Sequence, residues 1–222
     1  MPIVFVETNW VVACCAPAHN RVPAALELLE RAQNGEISLH LPSLCLAEAQ
    51  HPLRTKFQPR PEADRIRQYV TWALGGARIG EEDAITVRRV VDQMENSIRA
   101  ELRDLNGALR QLSQAPGIHL LQYDHDMMSR AVEHMFVFPH IKPYDGAVLA
   151  SVVVAAERLR QQGQTELFFC ESDSDLQPWD KNGDRVDQLA NVYDAANVWV
   201  YGDYLLESPP VPAGWHDRNR QP

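Results

Sequence analysis

Residues 3–9 read IVFVETN, and this stretch decides the fold. Ile3-Val4-Phe5-Val6 is apolar at every position, with no alternation. A strand with one wet face alternates, whereas a strand covered on both faces does not, and double coverage is the habit of parallel sheets. Glu7 closes the run, and Asn9 is a good N-cap for a helix starting near Trp10. A buried strand that runs straight into a helix is how a parallel α/β unit opens.

The same grammar recurs outward from this point. PAALELLERAQ (23–33) is amphipathic, opens on proline and stops at Asn34-Gly35. Ser38 to Leu41 reads as a second strand, and Pro42-Ser43 turns into LCLAEAQ with Ser43 as a cap. Ile118 to Leu121 reads as a third strand, after which Asp124 or Asp126 introduces a helix through Ala131 and Met135. PYDGAVLASVVVAAERLRQ (143–161) has proline in its first turn, and Asp145 is its only charged residue between Tyr144 and Ala156. A helix apolar nearly all round belongs at the centre of the molecule. Leu167 to Cys170 is a fourth strand and Val198 to Val200 a fifth. The expectation is a three-layer α/β fold with a mainly parallel five-stranded sheet.

Residues 54–116 break the pattern. They are helical, long and charged, interrupted at Gly75-Gly76 and Gly80, and read as a helical arm inserted into one domain spanning residues 1–206. A Pro-rich extended tail is expected over 207–222, and no internal repeat is visible.

Composition narrows the function. The 222 residues are 45% hydrophobic and 23% charged, which fits a folded globular chain and excludes disorder or a coiled-coil rod. No apolar run approaches the roughly 18–20 residues that span a bilayer. The start, MPIVFVETNW, lacks the features of a signal peptide. Cys14, Cys15, Cys45 and Cys170 lie in apolar stretches without a CxxC pair, so buried thiols in a cytoplasmic protein are expected. A net charge of −9 argues against a surface that grips nucleic acid all over. It does not exclude a nuclease, whose metal site is itself a cluster of carboxylates.

Open parallel sheets bind ligands at the carboxyl ends of their strands. Here those ends are acidic: Glu7 after the first strand, Glu48 one turn into the helix after the second, Asp145 opening the apolar helix, and Asp173 and Asp175 after the fourth strand. Converging carboxylates repel one another, and a hard cation such as Mg²⁺ or Mn²⁺ relieves the repulsion while leaving room for a phosphate.

Four blocks in these positions resemble the PIN-domain family. They are Glu7-Thr8-Asn9, similar to its D-T-N; Pro42-Ser43 through Glu48, similar to its P-S-x-x-x-x-E; Asp145-Gly146-Ala147-Val148-Leu149-Ala150, similar to its D-A/G-x-x-x-A; and Glu171-Ser172-Asp173-Ser174-Asp175-Leu176, similar to its T-x-D-x-D-F turn. They occur in family order across nearly the whole chain. The resemblance implies a metal-dependent ribonuclease acting on single-stranded RNA, often the toxin of a toxin–antitoxin pair. It implies Glu7, Glu48, Asp145 and Asp173 as catalytic metal ligands with Asp175 auxiliary, Mg²⁺ or Mn²⁺ as cofactor, and RNA, an antitoxin protein and a second copy of the chain as partners. The chain departs from the family in three places. Glu7 stands where Asp is usual, Glu171 replaces Thr, and the 54–116 segment is longer than compact toxins carry.

Each residue also has a plainer reading. Asp145 suits a helix's first turn by its charge alone, Asp173 and Asp175 are ordinary turn residues, and Glu48 is a solvated helix glutamate. Arg54, Lys56 and Arg60, with Arg65 and Arg67, form a basic stretch for a nucleic-acid backbone or a helical arm pairing with its own acids. His51, His119, His125, His134 and His140 lack ligand-like spacing. Lys142 flanks Asp145, and phosphate-binding glycine motifs are absent. An aspartyl phosphatase is disfavoured because the first strand ends in ETN and not DxD. The alternative that stays open is a catalytically weak PIN-like module that binds RNA or protein through its arm.

Overall fold

The structure is a computed structural model and describes residues 1–206; the tail expected over 207–222 lies outside the described residues. Five strands, β1 (Ile3–Val6), β2 (Ser38–Pro42), β3 (Ile118–Leu121), β4 (Leu167–Cys170) and β5 (Val198–Tyr201), form one sheet in the order β3-β2-β1-β4-β5. Every pairing is parallel, so the sheet is wholly and not just mainly parallel. β1 is the middle strand and all four of its residues are buried, as the unbroken apolar run requires.

The helices divide into two groups. α1 (Thr8–Cys15), α2 (Pro23–Gln33), α3 (Ser43–Lys56) and α6 (Leu105–Ser113) pack on one another, and so do α7 (His125–Val137), α8 (Pro143–Gln161) and α9 (Asp187–Ala196). Right-handed crossovers between parallel strands put the first group on one face of the sheet and the second on the other. α8 carries a continuous buried stretch from Val148 to Ala156, which accounts for its lack of charge. The buried Trp10 indole donates to the Ala25 carbonyl at 3.2 Å, fixing α1 against α2.

Several expectations at element ends need correction. α1 begins at Thr8, and its cap is Glu7, not Asn9. Ser43 is the first residue of α3 and Pro42 its cap. Helix α3 continues through Pro52 to Lys56, with Leu53 buried beyond the proline. Asp124 is the residue that caps α7, accepting from the Met127 amide at 3.1 Å.

The arm is shorter than residues 54–116. It consists of α4 (Arg60–Gly75) and α5 (Glu81–Arg103), packed on each other. Residues 54–56 finish α3, and α6 contributes Leu105, Leu109 and Leu112 to the core. Arg67 clamps the hairpin, reaching Asp64 at 2.9 Å, Asp92 at 2.6 Å and Glu95 at 2.5 Å. Tyr69, Trp72, Ile85 and Met94 remain exposed on the arm. At the entry to β3, Gly117 has φ +78, and a Cβ there would fall 2.2 Å from the Ala32 carbonyl oxygen, so the close approach of α2 to this turn requires glycine.

Cys14, Cys45 and Cys170 are buried, Cys15 is half-buried, and all are free thiols. Among the described residues no helix is long and apolar enough to cross a membrane.

Candidate functional site

The chain steps from β1 outward to β2 and β3, then returns past both to lay β4 on the other side of β1. The direction of winding therefore reverses between β1 and β4, and the crevice outside the carboxyl ends of these two strands is where such sheets bind ligands. Val6 pairs with Cys170, so Glu7 and Glu171 leave the two strands at the same level.

The two glutamates are held alike. Glu7 is 5% exposed and Glu171 fully buried. Glu7 Oε2 accepts from the Asn9 amide at 2.6 Å, and Glu171 Oε1 accepts from the Asp173 amide. Each thus spends one oxygen on the amide two residues ahead. The other oxygen, Glu7 Oε1 or Glu171 Oε2, is buried with no hydrogen-bond partner.

Three further acids close around this pair. Glu48 on α3 accepts a hydrogen bond from the Thr8 hydroxyl, which ties it to the end of β1. The Tyr144 hydroxyl donates to the Leu44 carbonyl and so draws the start of α8 to the start of α3, bringing Asp145 to the crevice. Asp145 Oδ2 is buried without a hydrogen bond, and its nearest cation, Lys142 Nζ, lies 3.8 Å away. Asp173 accepts from the Asp175 amide at 3.0 Å, and Lys142 donates to Asp175 at 3.1 Å.

The electrostatics follow from this crowding. Burial pushes the Glu7 carboxyl up to about 8; the Asn9 amide opposes the rise, and the charges of Asp173, Glu48 and Asp145 add to it. Burial, and next the charge of Glu7, hold Glu171 well above the carboxylate range. Asp145 is raised by burial and by Asp173, with Lys142 acting against them. A cation brought close to these groups would oppose each of these rises.

The structure therefore brings Glu7, Glu48, Asp145, Asp173 and Asp175 together, with Lys142 engaging Asp175. It adds Glu171, which the sequence reading noted only as a departure from a family pattern. The available signal was its place directly after a buried strand, the same relationship that singled out Glu7. The basic residues lie apart from the acids. Arg54 and Lys56 are exposed in the last turn of α3, roughly 9 and 12 Å along the axis from Glu48. Arg60 opens α4 and pairs with Asp64 at 3.5 Å. Lys56 lines a largely apolar groove with His19, Phe57, Ile66, Val91 and Met94, and none of the crevice carboxylates lines it.

Among the described residues no group of three or more His, Cys, Asp or Glu side chains already stands in metal-binding geometry. The donors nevertheless fit a hard dication: they are carboxylate oxygens, three of them buried and without a hydrogen bond. Mg²⁺ demands little preassembly, since it keeps several waters and is held by one or two carboxylates plus substrate phosphate. In comparisons with protein-family models, curated proteins and solved structures, the chain matches none.

Proposed function

We propose that this chain is a metal-dependent endoribonuclease that hydrolyses phosphodiester bonds of single-stranded RNA, as its resemblance to the PIN-domain family implies. The observation that carries the reading is the set of buried oxygens of Glu7, Asp145 and Glu171 without a hydrogen-bond partner at the reversal of the sheet. Unpaired buried carboxyl groups are costly, and a site for a cation is what such an arrangement serves. Glu7, Glu48, Asp145 and Asp173 would hold Mg²⁺ or Mn²⁺, with Asp175 auxiliary. The ion, when bound, supplies an activated water and charge stabilisation on the phosphate.

The chain's own groups do the rest. Thr8 orients Glu48, and the Asn9 and Asp173 amides aim the glutamates by fixing one oxygen of each. Lys142 stands exposed between Asp145 and Asp175, where it attracts a phosphate. Arg54, Lys56 and Arg60 offer charge to the RNA backbone further along. A cytoplasmic location, a toxin role, an antitoxin partner and a homodimer belong to the same reading. The exposed Tyr69 and Trp72 of the arm favour a second one, a catalytically weak module that binds RNA or protein.

Incubation of the purified chain with mixed single-stranded RNA, with and without Mn²⁺, tests both. Cleavage that needs Mn²⁺ and is lost in Asp145→Asn supports the enzyme. Retention of RNA without cleavage supports the module. Equal cleavage by both proteins assigns the activity to a contaminant or to another site.

A further inference from the structure

Glu171 has every polar group satisfied but one. Its amide donates to the Tyr201 carbonyl at 2.8 Å, and its carbonyl accepts from Gln177 Nε2 at 3.0 Å. Its Oε1 takes the Asp173 amide, and only Oε2 is left, fully buried and unpartnered. If the side chain served only to turn the backbone at the end of β4, one acceptor oxygen would be enough. Serine, threonine and aspartate do that work commonly with a shorter side chain. The extra length and second oxygen of glutamate carry a desolvation cost that the turn does not need.

The neighbours explain what that oxygen faces. Glu7 sits on the adjacent strand at the same level, holds its own carboxyl in the same way and also leaves one oxygen unpaired. The charges that bear most strongly on Glu171 are those of Glu7, Asp173 and Asp145, all negative. With Glu48 these make five converging carboxylates, and the one nearby ammonium, Lys142, is directed to Asp175 and Asp145. With all five ionised, one dication leaves this group strongly negative, whereas two leave a single excess charge.

We propose that Glu171 is itself a cation ligand, and that Glu171 and Glu7 together form a second seat for a divalent cation beside the one served by Glu48, Asp145 and Asp173. This rests on the nuclease reading of the crevice and extends it to a residue that reading does not use. A pair of cations is a known device for displacement at phosphorus, one on each side of the reacting phosphate. Two carboxylates completed by water match what Mg²⁺ accepts.

The test is a titration of the full chain with Mn²⁺, followed by calorimetry and by the paramagnetic resonance of the free ion, without RNA. Wild type is expected to take two equivalents and Glu171→Gln one, because glutamine keeps the oxygen for the Asp173 amide and loses the charge. The cation-free Glu171→Gln chain is expected to melt above wild type, and its rise in melting temperature with Mn²⁺ to be smaller. Should the glutamine variant fail to fold, Glu171→Asp serves instead, and the second equivalent is expected to bind at least about tenfold more weakly. Equal stoichiometry and affinity in wild type and variant overturn the second seat and leave the nuclease reading standing. No uptake of Mn²⁺ by wild type overturns both.

Discussion

Thr8 donates its hydroxyl to Glu48 across forty residues of sequence, joining the first turn of α1 to the first turns of α3. Thr8 is buried and Glu48 half-buried, so the contact fixes a carboxylate that water would otherwise leave free to swing. Removal of such a supporting partner typically costs about 10–100-fold in metal affinity. Thr8→Val is therefore expected to weaken Mn²⁺ binding by about that factor, while Thr8→Ser, which keeps the hydroxyl, stays near wild type. Calorimetric titration of the three proteins checks this, and an unchanged affinity in Thr8→Val removes Thr8 from the site.

Asp145 offers the cleanest removal of charge. Asp145→Asn keeps the shape of the α8 start, so the fold is expected to survive. A cation present at about 100 times its dissociation constant stabilises the folded chain by roughly 2.7 kcal/mol, a rise of several degrees in melting temperature. That rise is expected to shrink in Asp145→Asn, and Mn²⁺-dependent cleavage to fall by orders of magnitude. A melting temperature indifferent to divalent cations in wild type would count against the site as a whole.

The stability of the cation-free chain is expected to fall as pH rises from 6.5 to about 8. Glu7 binds its proton more tightly folded than unfolded, from an ordinary 4.5 to about 8, and Glu171 shifts the same way. Between those limits the unfolded chain has released protons that the folded chain keeps, so each step in pH favours unfolding. His40 acts oppositely, because burial and the charge of His119 lower it to about 4, but its effect ends near its ordinary value of 6.5. The clean window thus begins there. Thermal melts across it are expected to slope downward for wild type and less so for Glu7→Gln; parallel slopes would disconnect Glu7 from the effect.

Glu7 also separates an adapted site from a decayed one. Its carboxylate stands on the order of 1 Å further from its Cα than an aspartate's would, and metal ligands tolerate about 0.2 Å. Glu7→Asp is therefore expected to reduce cleavage and Glu7→Ala nearly to abolish it. A gain of activity in Glu7→Asp would mark the wild-type glutamate as a relic.

Gly117→Ala is expected to destabilise the fold without touching the crevice. Strain at a positive φ alone costs about 1–3 kcal/mol, and the Ala32 carbonyl oxygen, 2.2 Å from the new Cβ, adds to it. Chemical denaturation measures the loss; a variant as stable as wild type would mean the turn can move away from α2.

β1 and β4 are legible because coverage on both faces leaves a short, unbroken apolar run. They occupy Ile3–Val6 and Leu167–Cys170, and β3 occupies Ile118–Leu121 although it is an edge strand with His119 exposed. α8 was legible for the same reason, one charge in a long apolar helix. α9 was not, since DQLANVYDAA is short and mixes polar with apolar residues. Asn9 looked like the cap because asparagine caps well, but the extended backbone of Glu7 lets its own carboxylate reach the Asn9 amide. Pro52 hid the last turn of α3, where burial of Leu53 outweighs the missing amide. Acids at strand ends announced Glu7 and Asp173, whereas the significance of Glu171 lies in its pairing with Glu7, which is visible only once β4 is set beside β1.

β1 precedes both of its neighbours in the sheet, but they follow it at very different distances along the chain: β2 begins at Ser38 and β4 only at Leu167. The crevice takes one wall from β1 and the other from β4, so a nascent or truncated product that stops short of Glu171 carries Glu7 and Glu48 without the β4 wall beside them. The late arrival of β4 leaves the crevice open on one side until the chain has been made past Glu171.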